Sequence, residues 1–327
     1  MTAYLPIERQ KAGGGFRYVE AGNQLTDPKL LDFISKMAIP PAWRDVHIAR
    51  SERSKILARG IDSAGRVQAI YSPRFRARQE QLKFDRILRF AEALPDLRRQ
   101  VEKDLARKRL SKEKVLACIV KLMDQEYFRV GNEQYAKEHQ TYGITTIRSK
   151  HVDVRGDTVT FDFVGKSHQK HVKQINDRQI ARIVKQLDEL PGYEIFRYQD
   201  SDGSMHDIHT NDVNAYIKQY AGEEFSAKDF RTWGGTLLAT TELIAAEKLA
   251  TKTQRTKFVT ETVKNVAKKL GNTPSVARSS YIDPRVIAAY IDSEDMQTLK
   301  QAMQSMRPKK YLSRDEQCVL RLLNKTV

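Results

Sequence analysis

The chain has 327 residues, 57 Lys and Arg against 41 Asp and Glu, a formal charge of +16, and two cysteines. That length allows a full hydrophobic core and suggests two domains at roughly 150 residues each. Cys118 and Cys318 are too few and too far apart for a disulfide framework or a cysteine-rich zinc site, they suit a reducing compartment, and no apolar run is long enough to span a membrane.

The opening residues 1–9 lack the basic-then-apolar pattern of a secretory signal. Residues 13–15 are three glycines and read as a loop, and 16–19 read as a short strand. Asp27-Pro28 opens a helix with Leu30, Leu31, Phe33 and Ile34 on one face, which Ile39-Pro40-Pro41 closes. Residues 55–62 and 66–71 are strand-like, and Ser63-Ala64-Gly65 between them makes a hairpin. Ser72-Pro73 caps a long basic helix reaching to about Leu94. Helices are then expected at 96–109, 112–128, 176–190, 210–220, 227–246, 254–270, 283–292, 294–305 and 314–324. Residues 150–173 differ: Val152, Val154, Val159, Phe161, Phe163 and Val172 are strand formers. Turns at Arg155-Gly156-Asp157 and Gly165-Lys166-Ser167 divide them into a three-stranded meander. The expected class is α+β. A small N-terminal α+β domain with an antiparallel sheet, residues 1–85, precedes a larger, mainly α-helical domain, 86–327, that carries the meander.

The charge is clustered. Residues 50–89 hold 11 basic side chains against four acidic ones, and 245–270 hold seven against two. Two separated basic stretches suit a polyanion gripped from two sides, and the arginines of the first stretch suit phosphate. A membrane surface would instead call for an amphipathic helix with a bulky apolar face.

Several motifs fail on inspection. Gly165-Lys166-Ser167 ends like a phosphate loop, but the first glycine of that motif is replaced by Thr160 and no helix follows. His168 and His171 sit in strand-like sequence, where a spacing of three points side chains to opposite faces, and His206 and His209 have no third ligand. Asp200-Ser201-Asp202-Gly203 starts like a calcium loop without its closing glutamate.

What remains is chemistry on a phosphodiester. Without a metal it needs cationic donors on the non-bridging oxygens, a nucleophile, and an acid for the leaving oxygen. The candidate segments are Tyr127-Phe128-Arg129-Val130-Gly131, Gly165-Lys166-Ser167, Lys228-Asp229-Phe230-Arg231-Thr232-Trp233-Gly234, and Leu270-Gly271-Asn272-Thr273-Pro274 leading to Ser279-Ser280-Tyr281. In this order, with Asn272 and Tyr281 nine residues apart, they make the chain resemble the type IB DNA topoisomerases of the small poxvirus and bacterial kind, in the tyrosine recombinase superfamily. Ile39-Pro40-Pro41-Ala42-Trp43 and Gly60-Ile61-Asp62-Ser63-Ala64-Gly65-Arg66-Val67-Gln68 extend the resemblance to the N-terminal domain.

The resemblance implies that Tyr281 attacks a DNA phosphate, leaving a 3′-phosphotyrosyl enzyme and a free 5′ hydroxyl. It implies that Arg129 and Arg231 bind the non-bridging oxygens, that Lys166 protonates the 5′ oxygen, and that Lys228 supports them. Asn272 stands where the poxvirus type has histidine and donates a hydrogen bond instead of carrying a charge; bacterial members share the asparagine. No cofactor is implied, because the protein–DNA ester stores the bond energy that rejoining needs. The expected partner is duplex DNA, clamped by a monomer in the cytoplasm, on the nucleoid of a bacterial source. Gln68 and Tyr71 of the N-terminal hairpin are expected in the major groove, and Tyr135 is a further expected contact. Ala69 replaces a second tyrosine of the poxvirus type. Trp43 and Trp233 are expected in cores or interfaces. A site-specific tyrosine recombinase and a non-catalytic duplex-binding protein stay open. The recombinase usually carries a His-x-x-Arg box, where this chain has Lys228-Asp229-Phe230-Arg231.

Overall fold

The computed structural model describes residues 4–246, 249–292 and 295–325. Residues 1–3 of the opening stretch 1–9, Glu247 and Lys248 of the second basic stretch, and Glu294 of the expected helix 294–305 lie outside the described residues. The chain divides into two units, Met1–Phe84 and Asp85–Val327, each with its own buried apolar cluster.

The first unit is built on an antiparallel sheet with one helix packed on it. Its elements are β1 (Ile7–Ala12), β2 (Gly15–Glu20), β3 (Asn23–Gln24), α1 (Pro28–Lys36), β4 (Arg44–Ile48), β5 (Ile56–Ile61) and β6 (Val67–Tyr71). The strand order is β3-β2-β1-β4-β5-β6. Asp27 caps α1 by accepting from the Lys29 amide at 2.9 Å, with Pro28 at the first helical position. The β5–β6 hairpin turns at Gly65, whose φ of 74° suits glycine. Asp62 holds the turn by accepting from the amides of Ala64 and Arg66. Ile7, Ile34, Val46, Ile48 and Ala58 form the core, with Trp43 packed beside it. β1 and β4 were not expected from the sequence, because Glu8, Arg9, Gln10 and Lys11 break any apolar alternation and β4 has only Val46 and Ile48 turned inward.

The second unit holds most of a long helix, α2 (Pro73–Leu105), then α3 (Lys112–Glu126), α4 (Glu133–His139), β7 (Val152–Arg155), β8 (Thr158–Gly165), β9 (Gln169–Asn176) and α5 (Arg178–Asp188). A short hairpin follows, β10 (Arg197–Gln199) and β11 (Met205–Asp207). The rest is helical: α6 (Thr210–Ala221), α7 (Ala227–Ala245), α8 (Lys252–Leu270), α9 (Pro274–Ser280), α10 (Pro284–Asp292), α11 (Asp295–Ser305) and α12 (Arg314–Lys325). Strands β7-β8-β9 form the expected meander, and the α+β class holds. Two separate helices were expected at 73–94 and 96–109, yet α2 runs through Pro95. Proline removes one backbone donor there, and Ala91, Leu94, Leu97 and Val101, all buried in one core, hold the helix together across it. No helix among the described residues is long and apolar enough to cross a membrane.

Candidate active site

The centre of the site is the C-terminal end of α8. Gly271 stops that helix in the left-handed region, at φ 63°. Thr273 and Pro274 start α9 at once, and the Thr273 hydroxyl accepts from the Val276 amide. Asn272 is caught between a helix end and a helix start, its amide donating to the Ala267 carbonyl at 2.8 Å. Tyr281 ends α9, with its amide donating to the same Ala277 carbonyl that receives Ile282.

Two arginines converge on this helix end. Arg231, buried on α7, donates to the Leu270 carbonyl at 2.7 Å, to the Tyr127 carbonyl at 2.6 Å and to Asn272 Oδ1 at 3.0 Å. Arg129 donates to the Gly271 carbonyl at 3.0 Å and to the same Asn272 oxygen. The acceptors at the ends of α3 and α8 are unpaired helix carbonyls at the negative end of a helix dipole. Such ends favour cations, which explains how two guanidinium groups tolerate each other here. Tyr127 turns the chain out of α3 at φ 55°, a costly conformation for a bulky residue. Its ring packs so close to Gly234 that a Cβ there would lie 2.1 Å away.

The site is short of negative charge. Burial, then the charge of Arg231, pushes Arg129 down to about 10, while the phenol of Tyr281 opposes the fall. Burial likewise lowers Arg231, again opposed by Tyr281. An anion entering here relieves both. Because Asn272 Oδ1 is taken by the arginines, its Nδ2 is a buried donor without a protein partner. A cleft of about 260 Å³ is lined by Arg129, Lys166, Gly271, Asn272, Thr273 and Tyr281, among others. Lys166 reaches it from the β8–β9 turn, where Ser167 and His168 both take positive φ. A larger cavity of about 430 Å³ lies beside Arg98 and Asp124, but Arg98 is paired with Asp124 and Glu316 and no nucleophile faces an unpaired cation there.

The structure thus brings Arg129, Lys166, Asn272 and Tyr281 onto one cleft with Arg231 directly behind. Lys228 is exposed on the first turn of α7 and does not line it. Tyr135 is half-buried on α4, beside His139. In the first unit Gln68 donates to Asp62 at 2.9 Å. It shares a face of β6 with Ile70, whereas Tyr71 points the other way and stacks on Phe75.

Two further residues escaped the sequence reading. Thr236 donates to the Tyr281 carbonyl at 3.2 Å and accepts from the Asp283 amide at 3.1 Å, so it pins the backbone of Tyr281 from both sides. The signal was Gly234-Gly235, two glycines inside a helix, which lower its intrinsic stability. A Cβ at Gly235 would lie 2.6 Å from the Tyr281 carbonyl oxygen. The second is Lys173, buried on β9 and donating to the Glu126 carbonyl just before Tyr127. Burial pushes it down to about 8, against the raising effect of Glu126.

Comparison with known proteins points to DNA topoisomerases. A family model described as "Eukaryotic DNA topoisomerase I, catalytic core" matches residues 72–310. A second, "Bacterial DNA topoisomerase IB, N-terminal domain", matches residues 15–62. The chain is 33% identical to DNA topoisomerase 1B of Acanthamoeba polyphaga mimivirus over 284 residues, 84% of each protein. It is 23% identical to DNA topoisomerase 1B of vaccinia virus (strain Copenhagen) over 269 residues, 80% of this chain and 82% of the viral one. It is 28% identical to DNA topoisomerase 1 of Mycosarcoma maydis over 181 residues, half of this chain and 18% of the fungal one.

Proposed function

Because the chain belongs to the type IB DNA topoisomerase family and is an enzyme of that type acting on duplex DNA, we propose that Tyr281 is its nucleophile. The Tyr281 phenol gives up its proton to solvent, its oxygen attacks the phosphorus, the bond from phosphorus to the 5′ oxygen breaks, and that oxygen takes a proton from Lys166, which solvent later restores. Arg129, Arg231 and the Nδ2 of Asn272 hold the non-bridging oxygens as negative charge grows on them. The 3′-phosphotyrosyl ester keeps the bond energy, the free 5′ end rotates, and the reverse reaction reseals the strand without ATP or metal.

The observation that carries this reading is the shared amide oxygen of Asn272, which accepts from both guanidinium groups and leaves its own N–H group for a third donor. Tyr71 and Gln68 are DNA contacts on this reading, with β6, the edge strand of its sheet, entering the groove edge-on so that both of its faces meet the duplex. Tyr135 is a third contact, and Lys228 supports the cleft from outside it through its charge. A single chain supplies every one of these groups, which favours a monomer.

The test is relaxation of a supercoiled plasmid lacking any defined site, in EDTA and without ATP. Wild-type protein is expected to relax it and Tyr281→Phe to leave it supercoiled. Relaxation by the variant, or none by the wild type, overturns the reading.

A further inference from the structure

The buried face of β9 is unusual for a strand. His171 and Lys173 point inward along with Ile175, and Val172 is 61% exposed. Lys173 has its partner at Glu126, which leaves His171 to account for. Its ring touches two glycines at once. A Cβ on Gly165 would lie 2.6 Å from His171 Cδ2, and one on Gly271 would lie 1.9 Å from Cε1. Gly165 immediately precedes Lys166, and Gly271 immediately precedes Asn272. The ring also stacks on Phe163 at 5.2 Å and 22°, and Phe163 stacks on Phe128, the neighbour of Arg129, at 5.9 Å and 15°.

We propose that His171 is a positioning residue, a flat wedge whose ring sets the spacing between the turn that carries Lys166 and the loop that carries Asn272. This deepens the reading in which Lys166 protonates the leaving oxygen, and it rests on it. His171 does not line the cleft, so it acts through its neighbours. Lys166 sits on an exposed turn whose sequence allows many conformations, and proton transfer needs the donor within hydrogen-bond reach. A displacement of about 1 Å at a reacting group costs on the order of 10²-fold in rate. The charged groups facing the ring are Lys173 on its own strand, Arg129 from the segment after α3, and Arg231 from α7. With burial as the larger cause, they push the imidazole down to about 4. At neutral pH the ring therefore packs against the glycines without adding another positive charge.

The test compares single-turnover cleavage of ordinary duplex DNA with cleavage of a duplex in which sulfur replaces the bridging 5′ oxygen. A thiolate leaves without a proton, so a defect in proton delivery disappears on that substrate. His171→Ala is expected to lose about 10- to 100-fold on the oxygen substrate and less than about threefold on sulfur. Lys166→Ala is the control, with a loss on oxygen that sulfur restores. Gly165→Ala drives its new methyl into the ring and is expected to show the same oxygen-selective loss. In the His171→Ala background it adds less than about threefold. Gly165→Ala also serves if His171→Ala does not fold. If Lys166→Ala recovers on sulfur and both other variants are slowed equally on the two substrates, or not slowed at all, the wedge is overturned while the Lys166 reading stands. If Lys166→Ala does not recover on sulfur, that reading falls and the wedge with it.

Discussion

The guanidinium carbon of Arg231 lies 5.1 Å from the centre of the Tyr281 ring. A buried cation at that distance acts on the phenol face by its field and holds the ring in place. A phenol is a weak nucleophile at neutral pH until positive charge favours its anion. The same arginine is tied to two helix-end carbonyls and to Asn272, so it is fixed before DNA arrives and need not reorganise during the reaction.

Arg231→Ala therefore has two consequences. On the proposed reading it removes a transition-state donor, with an expected loss of about 2.7–4 kcal/mol in barrier, or 10²- to 10³-fold in cleavage rate. It also strands the Tyr127 and Leu270 carbonyls, with an expected cost to stability of about 1–3 kcal/mol. Arg231→Lys keeps the charge without the planar fork and is expected to recover stability only in part and activity little. Single-turnover cleavage and thermal unfolding of both variants check this.

Thr236 offers a cleaner separation of position from chemistry, because its hydroxyl bonds the backbone on either side of residue 281 and no group of the cleft. Thr236→Val keeps the shape and leaves the Tyr281 carbonyl and Asp283 amide unpaired, for an expected loss of about 1–3 kcal/mol in unfolding free energy. Thr236→Ser keeps the hydroxyl and is expected to stay close to wild type. Equal unfolding curves for the valine and serine variants would contradict the assignment.

His171 makes stability depend on pH in a definite direction. Its folded value lies near 4, against 6.5 for the unfolded chain. The fold therefore prefers the neutral ring, and this contribution is complete above about pH 6.5 and is lost as pH falls toward 4. His171→Gln, which cannot titrate, is expected to lose less stability than wild type across that window. Parallel melting curves from pH 7 to 4.5 would contradict it.

The clustered basic charge predicts binding dominated by phosphate contacts. With about 6–10 such contacts, affinity for duplex DNA is expected to fall roughly 10³- to 10⁵-fold between 50 and 200 mM salt. Titration of a labelled duplex at several salt concentrations gives the slope, and a flat one would contradict the electrostatic account.

Much of the site was legible because its parts sit in short runs whose chemistry shows locally. Gly271 and Thr273-Pro274 announce a helix end and a helix start around Asn272, and Tyr281 follows one short helix later. The residues that hold those parts were not legible, because their partners are far away in the chain. Gly234-Gly235 signals a close approach beside Thr236 without saying that the neighbour is Tyr281, and Lys173 lies 47 residues from Glu126. β9 is a further case: Val172 marks it as a strand, yet the valine faces out while His171 and Lys173 face in. Counting alternation back from Ile175 would have placed both inward. In the same way, a spacing of three put Gln68 and Tyr71 on opposite faces of β6, a consequence of strand period that the hairpin assignment already contained.

The most direct test of the account is the identity of the residue joined to DNA. Protein trapped on a nicked duplex, digested and sequenced by mass spectrometry, is expected to yield one DNA-linked peptide, carrying a 3′-phosphate on Tyr281, and none from Tyr281→Phe. A nucleotide attached to any other side chain, or a linkage through the 5′ end, would contradict it.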